Sequence, residues 1–417
     1  MLTEDVDFKS SCLYNLPEKL ATYEKIYVYG VGIYGKFIFS YLSENGLGSK
    51  LASFVITEAK GGLYAFGEEY PADQFEKCSQ LIEKAYGKGI KLIDDVLITD
   101  NDIVLIAAKK VNRSEMLTTC NKRNIKNVLE IDIFDLENYV DYPRLEQDDP
   151  ILLKCWYKMI KDEDLDLNHP KTYNEKIQWL KIYDPQQQLK TIVEDKYNVK
   201  NWVANKIGSE HVVPLLGVWD KFDDIDFDKL PDRFVLKLNV ESGRNIIVRD
   251  KSKFDIQTAK EKFDKWIKLN AHTPLMAKMY RNIKRKIIAE TYIEDINGDL
   301  PDYKFFCFNG EIKFIQVYRN RWSHIVRRCY DTQWNPLPFG SSFSLDPVIL
   351  PKPKPFEKML EIVKKLSEDF IHVRVDIYVI GDKVYFGEMT FNHKNGLAIW
   401  SPSSADEQIG EYFKINI

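Results

Sequence analysis

The stretch that decides the fold lies near the end of the chain and reads Arg374-Val-Asp376-Ile-Tyr-Val-Ile-Gly-Asp-Lys-Val-Tyr-Phe-Gly-Glu388-Met-Thr390-Phe-Asn392. Apolar residues on both sides of a Gly-Asp turn predict two β-strands joined as a hairpin. In that hairpin Asp376 and Glu388 face each other, and Arg374 projects from the same strand face as Asp376. Paired carboxylates suit Mg²⁺, and a neighbouring arginine can hold a developing anion. The alternative is an amphipathic hairpin whose acids face water.

Composition limits the class of protein. The chain has 417 residues, 44% of them hydrophobic, and a net charge of −4. Two or three domains are expected at this length, and the near-neutral charge predicts no nucleic-acid partner and no polybasic membrane anchor. No apolar run approaches the roughly 18 to 20 residues of a transmembrane segment, and residues 1–10 do not resemble a signal peptide. We therefore expect a cytoplasmic protein.

The six cysteines and six histidines are scattered along the chain. Without a C-x-x-C, H-x-H or H-E-x-x-H arrangement, the sequence predicts neither a disulfide framework nor a zinc site. A transition-metal enzyme is not expected.

The first domain opens with a β-rich run at residues 25–30 that enters Gly30-Val-Gly32-Ile-Tyr-Gly35 and then a helical pattern. Strand, G-x-G-x-x-G and helix in this order are the context of a dinucleotide-binding fingerprint. Gly30, Gly32 and Gly35 are therefore candidate cofactor-binding residues. Glu58 stands where a ribose-binding carboxylate would lie.

Three further apolar runs, at residues 51–56, 102–108 and 127–131, alternate with helical patterns and predict a Rossmann-like parallel sheet. Many such domains bind no nicotinamide cofactor and keep the glycines for the turn. The stretch resembles small Rossmann-like domains attached to sugar-modifying enzymes of bacterial surface-polysaccharide pathways. That resemblance implies a nucleotide-sugar-binding or a purely architectural role.

The predicted domain boundary is an acidic segment with two prolines and no periodicity, at residues 141–150. We therefore predict a Rossmann-like domain at residues 1–140, a linker at 141–150 and a second domain at 151–417. In the second domain, Thr172 and Glu175 form a capping box that predicts the start of a helix.

Lys237 lies inside an apolar strand pattern at residues 233–239. Burying an unpaired ammonium is costly, so we expect an anionic partner such as a phosphate. The loop that follows contains Ser242 and Gly243 and leads to another strand, an arrangement that can lay backbone N–H groups over a triphosphate. For this loop the alternative is a plain hairpin turn. For Lys196, which lies earlier in the chain, the alternative is a solvated helix face.

The strand pattern at residues 286–294 contains Glu290-Thr-Tyr292-Ile293. Its edge can offer backbone groups to an adenine while Glu290 accepts a hydrogen bond from the exocyclic amine. Lys304 lies in a later β pattern that ends at an Asn-Gly hairpin turn.

The densest basic patch of the second domain spans residues 318–328. Arginine forks suit carboxylates and phosphates. We predict that Arg319, Arg321 or Arg328 receives an anionic substrate such as a uronic acid. The alternative is a structural loop with solvated arginines.

Six blocks of the second domain together resemble an ATP-grasp enzyme, and more narrowly the TupA-like ATP-grasp family of teichuronopeptide, capsule and other surface-polymer clusters. The blocks are Asp195-Lys196, Phe234-Val-Leu-Lys237, Ile288-Ala-Glu290-Thr-Tyr-Ile293, Asp302-Tyr-Lys304-Phe, Arg374-Val-Asp376-Ile-Tyr and Phe386-Gly-Glu388-Met-Thr390. The expected fold is thus a Rossmann-like α/β domain followed by an α+β ATP-grasp fold.

The resemblance implies that ATP phosphorylates a carboxylate and that an amine then attacks the acyl phosphate to form an amide. By position, Lys196 and Lys237 would hold the ATP phosphates, and residues 290–293 would form the adenine hinge. Arg374 would steady the acyl phosphate, with Lys304 as the second catalytic candidate.

The resemblance also implies that Asp376 and Glu388 bind Mg²⁺. General ATP-grasp enzymes often close this site with Glu-x-Asn, whereas here Thr390 takes that place and Asn392 follows two residues later. Either Thr390 or Asn392 can complete the site.

The leading hypothesis is therefore an ATP- and Mg²⁺-dependent ligase that joins an amine to a uronic acid or nucleotide-sugar in capsule or surface-polysaccharide biosynthesis. One alternative is a glycosyltransferase of capsule synthesis, which would leave Lys196 and Lys237 unexplained. Another is an NAD-dependent sugar oxidoreductase run by the first domain, which would leave the second domain unexplained. A scaffold with a degenerate site is a further alternative, and the sequence leaves a homo-oligomer open.

Overall fold

The computed structural model describes residues 16–57, 63–65, 68–70, 75–108, 110–131, 150–240, 243–268, 278–280, 283–293, 301–319, 325–341 and 346–415. They fall into two compact units, one within Met1–Leu165 and the other within Asp166–His272 and Met276–Ile417. Four predictions lie wholly or largely outside the described residues: Glu58, Ser242, Arg321 and the linker at 141–150.

The first unit is a parallel α/β sheet with helices. Its elements in chain order are α1 (Leu16–Ala21), β1 (Ile26–Tyr29), α2 (Ile33–Glu44), β2 (Leu51–Ile56), β3 (Leu63–Ala65), β4 (Glu68–Tyr70), α3 (Phe75–Tyr86), β5 (Ile90–Leu92), β6 (Ile103–Ile106), α4 (Lys110–Lys122), β7 (Val128–Glu130) and α5 (Pro150–Lys161). The five-stranded sheet has the order β5-β2-β1-β6-β7 with all pairs parallel. The predicted parallel sheet is confirmed, and the edge strand β5 is an addition to it.

The turn between β1 and α2 explains two of the three fingerprint glycines by packing alone. Gly30 has a φ of +115°, and a Cβ there would lie 2.5 Å from the carbonyl oxygen of Ala107. A Cβ on Gly35 would lie 2.4 Å from the carbonyl oxygen of Gly30. Gly32 is the N-cap residue of α2. The tight turn therefore requires Gly30 and Gly35 whether or not a cofactor binds.

Helix α5 belongs to the first unit, which continues to Leu165. The ring of Trp156 on α5 meets the ring of Phe37 on α2 edge-on, with centroids 5.5 Å apart. Lys36 pairs with Asp162 at 2.9 Å just beyond the helix. The chain therefore leaves the first unit later than the predicted linker at 141–150.

The second unit contains two antiparallel sheets and their helices. Its elements are α6 (Tyr173–Tyr183), α7 (Gln187–Glu194), α8 (Asn198–Ile207), β8 (Leu215–Trp219), β9 (Phe234–Leu238), β10 (Asn245–Val248), α9 (Ile256–Lys268), β11 (Ile287–Thr291), β12 (Asp302–Phe308), β13 (Glu311–Arg319), β14 (Val326–Tyr330), β15 (Gly340–Ser341), α10 (Phe356–Ser367), β16 (His372–Ile380), β17 (Lys383–Thr390), β18 (Trp400–Ser401) and α11 (Ala405–Gly410). The strand orders are β10-β9-β11-β8 and β14-β13-β12-β16-β17, and β15 pairs with β18.

Local sequence signals of the second unit appear as predicted. The capping box of Thr172 and Glu175 begins α6. The turn between β12 and β13 has φ angles of 49° at Asn309 and 76° at Gly310, which is the left-handed geometry that an Asn-Gly hairpin uses. A parallel bridge between Val212 and Phe386 links the segment before β8 to β17.

The five-stranded sheet has two chemically different faces. Because paired residues of antiparallel strands point to the same side, the register gives each face a fixed membership. One side, here called the packed face, contributes Phe305, Val317 and Val375 to the buried core beneath α10. The other side, here called the charged face, carries Arg327, Tyr318, Asp302, Lys304, Arg374, Asp376, Glu388 and Thr390.

Candidate functional site

Arg374 is the centre of the charged face. Its Nε donates to Oδ1 of Asp376 at 2.7 Å, and its Nη2 donates to Oδ2 at 2.8 Å, which makes a bidentate pair. The same Nη2 donates to Oε1 of Glu388 at 2.9 Å and to Oγ1 of Thr390 at 3.0 Å. The predicted facing of Asp376 and Glu388 is present in the strand register, with one guanidinium bound to both.

The two carboxylates differ in how readily they take up a proton. Burial would raise the pKa of Glu388, but the charges of Arg374, Lys196, Lys304 and Lys237 outweigh it and lower that pKa to about 2. Burial raises the pKa of Asp376 to about 6 against the opposing effect of its cationic neighbours. Glu388 is therefore the more acidic of the two carboxyl groups.

Lys304 neutralises the other side of Asp376. Its Nζ pairs with Asp376 and also with Oδ2 of Asp302 at 2.6 Å. Burial would lower the pKa of Lys304, yet Asp376 and Asp302 more than compensate and raise it. Lys304 therefore remains an ammonium while only 5% exposed.

His393 accepts a hydrogen bond from Arg374. Nη1 of Arg374 donates to Nδ1 of His393 at 2.9 Å. Burial, with Arg374 next, keeps the pKa of His393 well below its usual range, so the ring is neutral and Nδ1 is an acceptor. His393 is the first residue of the turn His393–Gly396, in which Lys394 and Asn395 have positive φ angles of 51° and 56°.

Lys237 approaches the charged face from β9 of the four-stranded sheet, and Lys196 approaches it from the start of α8. Their charges lower the pKa of Glu388, and burial lowers the pKa of Lys196 itself. Nζ of Lys237 pairs with Oε2 of Glu290 at 2.5 Å, and Nζ of Lys200 pairs with Oε1 at 2.7 Å. The anionic partner expected for Lys237 is thus a carboxylate of the protein.

That ion pair changes the expected role of Glu290. Burial would raise the pKa of Glu290, but Lys237 and Lys200 lower it below its usual value. Both carboxylate oxygens contact ammonium groups, so an adenine amine would have to share them. The contact of Lys200 with Glu290 has no local sequence signal.

The residues after β11 form the rest of the predicted hinge. Tyr292 and Ile293 are half-buried. Nε of Arg249 donates to the hydroxyl of Tyr292 at 3.2 Å, and the guanidinium carbon of Arg233 lies 4.4 Å from the centroid of its ring. Between β9 and β10, Gly243 has a φ of 78° and an exposed backbone with open space around its Cα.

Two further groups at the site were missed by the sequence argument. Glu194, the last residue of α7, accepts from the backbone N–H of Phe391 at 3.3 Å, and Tyr280 also donates to it. Burial raises the pKa of Glu194 to about 7. Neither residue stands in a recognisable motif, and only the tertiary fold brings them together.

Arg319 and Arg328 lie away from these groups. Strand alternation puts both on the packed face, where the register pairs them with Val326 and Val317. Arg319 forms a bidentate pair with Asp346 at 2.7 and 2.8 Å, and Nε of Arg328 donates to the backbone carbonyl of Asp346 at 2.9 Å. These contacts favour a structural role over the predicted contact with substrate.

The donor set of the acid pair fits Mg²⁺. Among the described residues no group of three or more His, Cys, Asp or Glu side chains forms a metal cluster by itself. Mg²⁺, however, is often held by one or two carboxylates together with phosphate oxygens, and Oγ1 of Thr390 lies 3.4 Å from Oε1 of Glu388. Asn392 has a buried Nδ2 without a hydrogen-bond partner in the described part of the chain. The hard oxygen atoms of Asp376, Glu388 and Thr390 are therefore suitable ligands.

Two solved structures of enzymes are similar to this chain at low identity. D-alanine–D-alanine ligase from Bacillus anthracis in complex with ATP has 13% identity and a TM-score of 0.33, covering 88% of this chain and 86% of that one. N5-carboxyaminoimidazole ribonucleotide synthetase from Thermus thermophilus has 11% identity and a TM-score of 0.29, covering 88% and 71%. No curated protein matches the sequence.

No helix in the described ranges has the length and apolarity needed to cross a membrane. The family model described as TupA-like ATP-grasp matches residues 175–414. This range exceeds half of the chain and contains the charged face described above. The chain therefore belongs to the TupA-like ATP-grasp family, and this membership implies an ATP-dependent ligase-type activity.

Proposed function

We propose that this protein is an ATP- and Mg²⁺-dependent ligase that joins an amine to a carboxylate through an acyl phosphate. One observation carries the proposal: cations from four separate sequence blocks act on the same carboxylate. Lys196, Lys237, Lys304 and Arg374 together lower the pKa of Glu388 to about 2. Such a concentration of positive charge around a facing acid pair suits the transfer of a phosphoryl group.

The reaction proceeds in two balanced steps. A carboxylate oxygen of the substrate attacks the γ-phosphorus of ATP, and the bond to the β,γ-bridging oxygen breaks, giving an acyl phosphate and ADP. The amine nitrogen then attacks the acyl carbon, phosphate leaves with the electrons of the C–O bond, and the amine proton passes to solvent. These steps need positioning and charge stabilisation rather than a nucleophilic side chain.

Arg374 and Lys304, both on the charged face, have different roles in these two steps. Arg374 has a guanidinium fixed by Asp376 and His393, so it can stabilise the oxyanion that forms on the acyl carbon. Lys304 is held by Asp302 and Asp376 and adds positive charge next to the reacting carboxylate.

Lys196 and Lys237 would bind the phosphates of ATP. The contact between Lys237 and Glu290 at 2.5 Å fixes the ammonium group before the nucleotide arrives. Residues 290–293, with the half-buried Tyr292 and Ile293, would receive the adenine. Gly243, with open space around it, allows close approach of the β9–β10 loop to the phosphates.

Asp376, Glu388 and Thr390 would hold Mg²⁺, which neutralises charge on the transferred phosphoryl group when bound. Arg374 already donates to all three of these residues. Its guanidinium therefore sets the spacing of the oxygen atoms.

The substrate we propose is a uronic acid or a nucleotide-sugar that carries one, in the biosynthesis of a surface polysaccharide. In the first unit, the turn from β1 into the N-terminus of α2 is a separate candidate site for a nucleotide phosphate. Support comes from the family match and from the four cations, Lys196, Lys237, Lys304 and Arg374, whose charges act on Glu388.

The test is an assay of the full chain with ATP, Mg²⁺, UDP-glucuronate and a panel of amines. ADP and phosphate should appear in equal amounts only when both a carboxylate and an amine are present, and mass spectrometry should detect the amide. Release of UDP without ADP would instead identify a glycosyltransferase. Reduction of NAD by the sugar nucleotide would identify an oxidoreductase.

A further inference from the structure

Arg327 lies on the charged face, although its neighbour Arg328 lies on the packed face. It is the register partner of Tyr318 on β13. Its guanidinium carbon is 4.7 Å from the centroid of the Tyr318 ring, and Nζ of Lys304 is 5.1 Å from the same centroid. Arg327 and the catalytic candidate Lys304 thus both contact the same aromatic ring.

Lys394 reaches the same region from the turn His393–Gly396. The turn is attached to α6, because Nε2 of Gln178 donates to the carbonyl oxygen of Asn395 at 2.8 Å and Nζ of Lys181 donates to it at 2.7 Å. Lys394 has a φ of 51°, a conformation that costs energy for a residue with a Cβ. Strained residues of this kind are concentrated at functional sites.

The charges of four cations converge at this point. Burial lowers the pKa of Lys394, and the charges of Arg327, Arg374 and Lys304 lower it further. Lys304 and Arg374 are neutralised by the carboxylates of Asp302, Asp376 and Glu388. Arg327 and Lys394 form no ion pair with any carboxylate of the described residues, so their mutual repulsion is uncompensated.

Arg327 also has a hydrogen-bond donor in need of an acceptor. Its Nε is buried and has no partner within the described ranges of the chain. A buried donor that is left unsatisfied is destabilising, and more so when the group is charged. An anionic ligand would satisfy this donor and would relieve the repulsion between Arg327 and Lys394.

We propose that Arg327 and Lys394 form a second anion subsite, which binds a negatively charged group of the substrate other than the carboxylate that reacts. The inference rests on the proposed function, because it takes the reacting carboxylate to lie beside Arg374. The substrate class is therefore a sugar acid with two anionic groups, the second being a phosphate or another carboxylate.

The geometry favours an anionic group that presents two oxygen atoms, as both a carboxylate and a phosphate can. The cation–π contact of Arg327 with the Tyr318 ring restricts the guanidinium fork before the ligand arrives. Lys394, on the turn His393–Gly396, adds a positive point charge from a different part of the chain than β14. Because Arg327 and Lys304 both contact the Tyr318 ring, the two anions of one substrate can be bound side by side.

The experiment is a set of calorimetric titrations on the full chain, saturated with Mg²⁺ and a non-hydrolysable ATP analogue so that the phosphate sites are filled. The probes are glucuronate, with one anionic group, and two probes with a second one: glucuronate 1-phosphate and glucarate. The variants are Arg327→Gln and Lys394→Gln, and the control is Lys313→Gln, a lysine of the same sheet that pairs with Glu311.

We expect at least one of the two-anion probes to bind the unsubstituted protein tenfold or more tightly than glucuronate. Arg327→Gln and Lys394→Gln should each abolish that advantage and leave glucuronate binding within about twofold, while Lys313→Gln should change neither. Tighter binding of glucuronate 1-phosphate alone identifies a phosphate at the subsite, and tighter binding of glucarate identifies a carboxylate.

The proposal is overturned if neither two-anion probe gains affinity over glucuronate, or if the gain survives in both variants. Circular dichroism of each variant excludes a loss of folding as the cause. Because the titrations measure binding and involve no turnover, they separate this inference from the ligase activity. A protein that binds the probes as expected but releases no ADP would contradict the proposed function alone.

Discussion

Asp376 and Glu388 are register partners on adjacent antiparallel strands, and a single guanidinium, that of Arg374, hydrogen-bonds to both. The acid pair is therefore not an open pair of like charges awaiting a metal ion. It already has a cationic partner within the protein, and this arrangement leads to the first prediction.

Replacing Arg374 by methionine should destabilise the second unit by roughly 3–5 kcal/mol, because breaking a buried ion pair leaves an uncompensated charge. Asp376 is 1% exposed and would keep only Lys304 as a cationic partner. Urea unfolding followed by tryptophan fluorescence measures the change. Arg374→Lys, which restores the charge without the fork, should recover part of the stability but not ADP release; full recovery of activity would contradict the role given to the fork.

The third metal ligand can be decided by comparing Thr390→Val with Asn392→Ala. The hydroxyl of Thr390 lies against Glu388, so we expect Thr390→Val to raise the Mg²⁺ concentration for half-maximal ADP release by about tenfold, the loss of one contact to a charged group. Asn392→Ala should leave that concentration within about twofold. The reverse result would assign the position to Asn392.

ATP binding should depend on Lys237 far more than on a lysine of similar exposure elsewhere. We expect Lys237→Met to weaken binding of a non-hydrolysable ATP analogue roughly tenfold to hundredfold, since a hydrogen bond to a charged group contributes about 1.5–3 kcal/mol. The matched control is Lys286→Met, which removes an ion pair with Asp220. Equal effects of the two substitutions in calorimetry would remove Lys237 from the nucleotide site.

A buried lysine gives a prediction about pH. Burial lowers the pKa of Lys181 to about 7, whereas an unfolded chain has a lysine pKa of about 10.4. Between these values the unfolded state binds the proton and the native state does not, so this residue makes the free energy of unfolding rise with pH. The difference in unfolding free energy between the unsubstituted protein and Lys181→Met should change by at most about 1.4 kcal/mol per pH unit from pH 7 to 9, in favour of the unsubstituted protein as pH rises. A constant difference would show that Lys181 keeps its usual pKa.

Gly30 and Gly35 should be needed for folding of the first unit, independently of any ligand. Gly35→Ala would push a methyl group into the carbonyl of Gly30, which we expect to cost roughly 1–3 kcal/mol or more. Gly89→Ala, whose new Cβ would be 3.4 Å from a serine hydroxyl, is the control with ordinary contact. Thermal unfolding without any nucleotide measures both. An unchanged melting temperature for Gly35→Ala would point to ligand binding as the reason for the glycine.

Several elements of the fold could be predicted from the sequence, because their signals are local. The strand at 51–56 has the observed bounds of β2, and the capping box at Thr172 begins α6 as expected. The Asn-Gly and Gly-Asp turns close their hairpins as predicted. In the second hairpin a β-bulge between Asp376 and Ile377 then shifts the register by one residue and brings Glu388 opposite Asp376.

Long-range pairing was beyond the sequence argument. Which face of the sheet an arginine occupies depends on the register of β14 against β13, and the segment between these strands has no turn signal that fixes it. The prediction named Arg319, Arg321 or Arg328, whereas Arg327 is the described arginine of that basic patch that lies on the charged face. In the same way, no local pattern joins Lys200 to Glu290 or Glu194 to Tyr280.

The two-faced sheet also bears on how such a protein can change over time. Chemistry and folding use alternate positions of the same five strands, so a substitution at Arg327 alters what the protein selects without touching the residue that packs beneath it. A new specificity can thus be acquired in single steps at every second residue. A one-residue insertion in any of these strands would be far more disruptive. It would move residues of the charged face to the packed face, and the reverse, along the rest of the strand.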